Sequence, residues 1–295
     1  MSNTVTLDAI EIVVYVLLIP LIVILGVRHG STHSLGYIYL CVFAVLRIVA
    51  DGLGIADRNS TNPNTIIATS AIHSAGLSPL LLVLAGFAHE AHHYLVKATR
   101  SHNEAQALLT RLRALQGGFH ALSAGGMGLV VYGAIKSENS NDRDDAETWE
   151  DMRKAGTILM LLGAIAEVIY AAYVWLSVIR TKESVSYLHL TSMSFCTCVG
   201  GLFVGIRAFY SVVYTFDTNS DLNPVTGDFG YKLVFIVLVP FLAVAWMISG
   251  AWVTRNIRKE VLYKSIRTDQ GGKRGIDDDT DMLMMPLPPA TQWRP

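Results

Sequence analysis

Residues 8–27 read DAIEIVVYVLLIPLIVILGV, an apolar run in which Asp8 and Glu11 are the only charged residues. A helix needs about 20 predominantly apolar residues to cross the ~30 Å hydrocarbon layer of a membrane. This run is long enough, and no positively charged segment precedes it, as one would in a cleaved signal peptide. We therefore expect it to form a first membrane-spanning helix that is retained in the protein.

The remainder of the chain repeats this pattern. Hydrophobic residues make up 52% of the sequence, charged residues only 16%, and the mean hydropathy is +0.40; a soluble domain has about 25% charged residues. We expect an all-α polytopic membrane protein, with a seven-helix bundle in residues 1–255 and a disordered cytosolic tail in 256–295. The predicted spans are residues 8–27, 35–56, 66–90, 116–136, 155–179, 188–215 and 231–253.

The distribution of basic residues predicts the orientation of the bundle. Lys and Arg are more numerous in the connecting segments that lie inside if the N-terminus is lumenal or extracellular and the C-terminus is cytosolic. Asn59 begins a glycosylation sequon, and this topology places it in an outer loop. We expect an integral membrane protein of the endoplasmic reticulum. No basic stripe interleaved with aromatic residues indicates nucleic-acid binding.

A group of polar residues is predicted in the outer half of the bundle. Ionisable side chains inside spans are costly and mark candidate functional sites. Arg47 and Asp51 are four residues apart, so they share one helix face and can pair. The group forms either a polar pocket or a set of structural ion pairs that fix helix rotation. Its members are Glu11, Tyr15, Arg47, Asp51, His73, Arg207, Tyr210 and Tyr214.

Glu167 lies near the middle of the fifth predicted span, within GAIAEVIYAAYVW. It has no obvious partner in its own helix, and it could line the floor of the outer polar group. Apolar surroundings favour the neutral form of a carboxyl group, which is the form that a general acid needs. Glu11, Asp51 and Glu167 are therefore the candidate catalytic acids.

Histidines cluster at the opposite, predicted cytosolic side. The stretch AGFAHEAHHYL at residues 85–95 satisfies both the H-E-x-x-H pattern of zinc proteases and the H-x-x-H-H box of membrane di-iron oxygenases. The third box of those oxygenases is missing, and the last span lacks the histidines of hydrolases that resemble adiponectin receptors. We expect interfacial histidines and no metal, with a di-iron oxygenase as an alternative. The candidate ligands for that alternative are His29, His33, His89, His92 and His93.

Four segments in order resemble a fungal family of seven-helix membrane proteins that includes ascofuranone-type meroterpenoid terpene cyclases. The segments are AIEIVVYVLLIPLIV…VRHG, GYIYLCVFAVLRIVADGLGIA, AIHSAGLSPLLLVLAGF and GIRAFYSVVYTF. The family pattern falls on Glu11, Tyr15, Arg28-His29-Gly30, Arg47, residues 76–80, Arg207 and Tyr210. The chain departs from it in the run His89–His93 and at Phe241, where an acidic residue is expected.

The resemblance implies a membrane-bound enzyme of fungal secondary metabolism that acts on a lipophilic isoprenoid. Protonation of an alkene or epoxide needs an acid, an apolar cavity and aromatic faces, and it requires no cofactor. Arg47, Arg207 and Tyr210 are expected to support the acids. The expected partners are the lipid bilayer, a prenylated small molecule and other membrane-bound enzymes of the same pathway. A seven-helix receptor or sensor is the alternative from another class.

Overall fold

A computed structural model of the chain describes residues 2–29, 35–56, 69, 72–73, 75–100, 102–139, 142–181, 187–217, 220–223 and 227–255. Within these ranges the chain forms helices and no strand, so the predicted all-α class is confirmed. The described residues belong to one compact unit, Met1–Ile257. The predicted tail, Asn59 and His33 lie outside the described residues.

Seven long helices follow one another along the described chain. They are α1 Ser2–His29, α2 Leu35–Ala56, α3 Leu77–Thr99, α4 His102–Asn139, α5 Arg143–Arg180, α6 Tyr187–Phe216 and α7 Phe229–Val253. All of them except α3 are long and apolar enough to cross a membrane. The protein is therefore a polytopic membrane protein, while the count of seven spans stays a prediction.

The boundaries differ most from prediction at α3. The predicted span 66–90 corresponds to a helix that begins at Leu77 and continues to Thr99. Pro79 lies in its first turn, where the missing N–H removes no intrahelical hydrogen bond. The helices α4 and α5 have 38 residues each, which corresponds to about 57 Å and exceeds a ~30 Å hydrocarbon layer. Both therefore extend beyond the bilayer.

The helix α3 occupies the centre of the bundle, in contact with α2, α4, α5 and α6. Every residue from Leu77 to Ala88 is buried, which is typical of a helix surrounded by protein on all sides. Other helices expose apolar side chains to lipid, such as Leu17 on α1 and Leu188 on α6. Because neighbouring helices cover α3, it carries Glu90 and several histidines that a lipid-facing helix excludes.

Two ends of the bundle are named by their residues. Near their starts, α1 and α7 meet through Asp8 and Lys232, and near their ends through His29 and Ala251. These two helices therefore run in the same direction. The end that contains Asp8, Arg47 and Lys232 is called the arginine end, and the end that contains His29 and Ala251 is called the histidine end. The distribution of basic residues predicts that the histidine end is cytosolic.

Close approach of backbones holds α4 against α5. A Cβ atom added to Gly156 of α5 would lie 2.7 Å from the carbonyl oxygen of Gly126 and 2.8 Å from the amide nitrogen of Val130, both on α4. Small residues allow such contacts between membrane helices. The Gly-rich composition of the fourth predicted span anticipated this packing, although Gly128 has open space beside it.

We expect Gly156→Ala to destabilise the bundle by about 1–3 kcal/mol, because the added methyl group meets backbone atoms that cannot move aside cheaply. Gly163→Ala is the matched control two turns along the same helix, where the nearest atom, Cβ of Leu122, is 4.0 Å away. That change should be neutral or stabilising by up to about 1 kcal/mol. Thermal unfolding in detergent measures both, and equal midpoints for the two variants would contradict the close α4–α5 packing.

Candidate functional site

Arg47 is the centre of a buried polar network at the arginine end. Its Nε donates to Oε1 of Glu11 over 2.8 Å, and a terminal nitrogen of the guanidinium donates to the same oxygen. The other terminal nitrogen lies 3.0 Å from Nδ1 of His73. All three side chains are buried. Arg47 on α2 therefore joins α1 to the segment that precedes α3.

The contact with Arg47 fixes the tautomer of His73. A guanidinium only donates hydrogen bonds, so Nδ1 of His73 accepts and its proton is on Nε2. That Nε2 faces Oδ1 of Asp51 at 4.0 Å. Asp51 also lies 3.9 Å from a terminal nitrogen of Arg47 on the same face of α2, as the i,i+4 spacing predicts.

Asp51 differs from Glu11 in its hydrogen bonding. Among the described residues, no donor is within hydrogen-bonding distance of either carboxylate oxygen of Asp51, although the side chain is fully buried. The hydroxyl of Tyr15 in the described part of the bundle is likewise buried without a partner, and its ring packs edge-on against Phe43. Most buried polar atoms in proteins are hydrogen-bonded, so these groups are available to a ligand or to water.

The sequence interpretation missed a second ion pair in this network. Nζ of Lys232 lies 2.8 Å from Oδ1 of Asp8, and both side chains are buried. Lys232 begins a π-helical segment, Lys232–Leu238, shortly before Pro240. Proline lacks an N–H donor, and π-helical turns form where the regular hydrogen-bond ladder is broken. The signal in the sequence was an acidic residue, Asp8, near the start of α1 and a basic residue, Lys232, near the start of α7.

The network buries as many acidic as basic side chains. The acidic side chains are Asp8, Glu11 and Asp51, and the basic ones are Arg47, Arg207 and Lys232. Burial of ions in a low-dielectric interior is tolerated when opposite charges are paired. Of the predicted outer polar group, the contacts join Glu11, Arg47, Asp51 and His73.

Arg207 stands apart from the carboxylates. It donates to Oγ of Ser211 over 2.6 Å, and its guanidinium lies 5.4 Å from the ring centre of Tyr210. In the described part of the chain, no carboxylate oxygen lies within 4.0 Å of it, although its charge interacts with that of Arg47. A buried cation without a direct counter-ion suits an oxygen-bearing or anionic group of a ligand.

Tyr210 and Tyr214 have structural roles in the bundle. The hydroxyl of Tyr210 donates to the carbonyl of Leu222 over 2.6 Å, and its ring stacks on Phe235 with centres 4.8 Å apart. Tyr214 packs against the apolar cluster of Tyr210, Leu222 and Ile236. These contacts tie α6 to the 3₁₀ turn Ser220–Leu222 and to α7. The prediction that both tyrosines line a shared polar pocket with Arg47 is not supported by these contacts.

Glu167 is isolated in the middle of the bundle. Its side chain is 0% exposed, and neither carboxyl oxygen has a hydrogen-bond partner among the described residues. Its neighbour Val168 packs near Leu84 of α3 and Gly201 of α6. Gly201 precedes Arg207 by six residues, so Glu167 lies about 9 Å deeper than Arg207. The absence of an opposite charge in an apolar setting favours the protonated carboxyl group.

The histidine run was expected at the membrane interface, but Glu90, His92 and His93 are buried inside the bundle. Glu90 faces His29 of α1, with Oε1 and Nδ1 2.7 Å apart, and His92 faces Tyr170 of α5, with Nδ1 and the hydroxyl 3.0 Å apart. The rings of His89 and His93 are 6.4 Å apart. Within the described ranges, which omit His33, no three His, Cys, Asp or Glu side chains converge as ligands of one metal ion. The spacing on α3 directs successive histidines to different neighbouring helices.

We expect Arg47→Met to destabilise the protein by about 3–5 kcal/mol, because it leaves Glu11 charged and buried without a partner. The double variant Arg47→Met with Glu11→Leu should recover most of that loss. Thermal unfolding of the single and double variants measures the coupling. Lys154→Met is the control, since the partly exposed pair Lys154–Asp151, at 3.4 Å, should contribute about 0–1 kcal/mol. A double variant no more stable than Arg47→Met would contradict the pairing.

Comparisons with known proteins place the chain in a family whose function is unknown. No curated protein and no solved structure matches the chain. Residues 2–256 match the family described as a domain of unknown function, DUF7702. The match covers all seven helices and ends at the boundary of the described bundle. The chain therefore belongs to the DUF7702 family.

Proposed function

We propose that the protein is a membrane-integrated terpene cyclase that protonates an alkene or epoxide of a lipophilic, prenylated substrate. The observation that carries the proposal is Glu167, a fully buried carboxyl group with no hydrogen-bond partner in the described bundle. Such a group is held neutral by its surroundings and has a proton to give. The resemblance to ascofuranone-type cyclases in the four segments from α1, α2, α3 and α6 points to the same chemistry.

The structure separates the three candidate acids by their partners. Glu11 accepts two hydrogen bonds from Arg47, so it serves to position Arg47. Asp51 is near Arg47 and has two unpaired oxygens, which suits a base. Among the described residues, no cation contacts Glu167, which suits the role of the acid. We therefore assign the acid to Glu167 and the base to Asp51.

The proposed cyclisation conserves every proton. Glu167 gives its proton to the terminal alkene carbon or the epoxide oxygen, and a neighbouring double bond attacks the carbon that becomes electron-deficient. The new carbon–carbon bond leaves a cation on the ring. A neighbouring C–H bond then breaks, its electrons form a double bond, and its proton passes to Asp51. The product is an isomer of the substrate, and solvent exchange restores both carboxyl groups.

The other polar side chains support binding of the substrate. Arg207 has no carboxylate partner among the described residues and suits the oxygenated end of a prenylated phenol. His73 keeps its Nε2–H on the side of Asp51, 4.0 Å from Oδ1 of that carboxyl group. Tyr15 contributes a buried ring and an unpaired hydroxyl. By contrast, Tyr173 and Phe209 are more than half exposed to lipid and do not serve an internal cavity.

The bilayer supplies the substrate in this proposal. An apolar groove of about 480 Å³ lies between α1 and α2 and opens toward lipid. Its lining includes Gly26, Tyr37 and Cys41. A prenyl chain dissolved in the membrane can lie in such a groove without passing through water. We place the enzyme in the endoplasmic reticulum, glycosylated on Asn59, beside other membrane-bound enzymes of its pathway.

We expect Glu167→Gln to lower product formation by about 100-fold or more, because the amide has no acidic proton to give. Microsomes that contain the protein, supplied with a prenylated phenol or its epoxide, provide the assay, with product measured by mass spectrometry. Asp51→Asn should lower the rate to a similar extent.

One control variant and two possible outcomes test this assignment. Asp151→Asn on the exposed part of α5 is the matched control and should leave the rate unchanged, since the side chain of Asp151 is 70% exposed and pairs with Lys154 at the surface. Full activity in Glu167→Gln would remove Glu167 as the acid. If wild-type microsomes form no product from either substrate class, the proposal that the protein is such a cyclase is wrong.

A further inference from the structure

His29 and Glu90 form a buried dyad that the proposed reaction does not use. Nε2 of His29 lies 3.1 Å from the carbonyl oxygen of Ala251, and Nδ1 lies 2.7 Å from Oε1 of Glu90. A carbonyl oxygen only accepts, so Nε2 carries a proton. The short contact on the other side needs one further proton, which is either on Nδ1 or on Oε1. The dyad therefore shares one proton between a base and an acid.

The second oxygen of Glu90 has no hydrogen-bond partner among the described residues, and the side chain is 1% exposed. The hydroxyl of Tyr37 is close enough to Glu90 to interact with it electrostatically, and it interacts in turn with the hydroxyl of Tyr94. The ring of Tyr37 also packs against His29, with centres 5.1 Å apart. No Lys or Arg of the described chain lies within 4.0 Å of Glu90. Among the described residues, no fixed positive charge is therefore close enough to drive the shared proton off the dyad.

The depth of the dyad relative to Glu167 follows from contacts of α3. Val168 and Gly201 meet Leu84 of α3, and Glu90 follows Leu84 by six residues on the same helix. Six helical residues correspond to about 9 Å. One oxygen of Glu90 and both oxygens of Glu167 are buried without a hydrogen-bond partner among the described residues. Buried polar atoms of this kind are normally bonded to internal water, and Asp, Glu and His side chains inside membranes form proton relays.

The two ends of the bundle differ in the partners of their carboxyl groups. At the arginine end, Glu11 accepts two hydrogen bonds from Arg47, and Asp8 pairs with Lys232. Arg and Lys keep their protons at neutral pH. At the histidine end, the partner of Glu90 is His29, whose imidazole binds and releases a proton. The two ends therefore differ in whether the partner of the carboxyl group can carry a proton.

We propose that His29 and Glu90 transfer protons between the histidine-end surface and Glu167. Each transfer moves one proton from water at that surface to the dyad, and from Glu90 to a carboxylate on Glu167; the reverse sequence releases it. The two residues act on Glu167 and do not touch the substrate. This inference rests on the protonated Glu167 of the proposed function, but not on the cyclisation.

The test is the rate at which the Glu167 proton exchanges with solvent. Infrared spectra of the reconstituted full-length protein after rapid transfer to D₂O show protonated carboxyl groups, and the band lost in Glu167→Gln identifies Glu167. We expect Glu90→Gln and His29→Gln to slow the exchange of that band by about 100-fold, because each removes one proton carrier. Glu90→Asp should restore part of the rate.

Two control variants separate proton transfer from structural effects. His92→Gln, two residues beyond Glu90 on α3, removes a buried histidine that bonds to Tyr170 and should leave the exchange rate unchanged. Asp51→Asn at the arginine end should also leave it unchanged. Thermal unfolding of each variant reports any loss of packing.

Three results overturn the inference. These are wild-type exchange rates in both Glu90→Gln and His29→Gln, slowed exchange only in Asp51→Asn, and the absence of any protonated-carboxyl band that depends on Glu167. The measurement uses no substrate, so its outcome is independent of whether microsomes form a cyclised product. If the exchange rates change as expected but microsomes form no cyclised product, only the cyclase proposal is wrong.

Discussion

The pairing of Arg47 with Glu11 is the constraint on which the arginine end depends. A guanidinium buried among helices needs a carboxylate and further acceptors, because no water compensates its charge there. Glu11 supplies the carboxylate and His73 the remaining acceptor. These contacts fix the rotation of α1 and α2 and the tautomer of His73. Asp51 is then left with oxygens that no described residue saturates.

The polar groups of the bundle form three levels with different electrostatic character. At the arginine end, three basic and three acidic side chains are buried. In the middle, Glu167 has no hydrogen-bond partner among the described residues, and an apolar setting favours the neutral form of a carboxyl group. At the histidine end, His29 and Glu90 share one proton between two helices. Apolar residues at the second level would give a more stable bundle, so the buried carboxyl group of Glu167 is the feature on which the proposed chemistry depends.

Sequence patterns predicted the features that depend on residues close together in one segment of the chain. Long apolar runs predicted the helices, because spanning a membrane needs length and hydropathy alone. The i,i+4 spacing predicted that Arg47 and Asp51 share a face, and the lack of a partner on its helix singled out Glu167. Contacts between distant segments were not predictable in this way. The sequence indicated no partner for Glu90 beyond the histidine pattern on its own helix, while the structure pairs it with His29, because helix rotation decides partners.

The pair of Asp8 and Lys232 has a consequence for the biosynthesis of the protein. Asp8 belongs to α1, and Lys232 belongs to α7, which is synthesised after α2 to α6. Throughout synthesis of α2 to α6, the carboxyl group of Asp8 therefore lacks the ammonium group that pairs with it in the finished bundle. An unpaired carboxylate is costly in lipid. Synthesis of α7 is therefore the step that removes this cost.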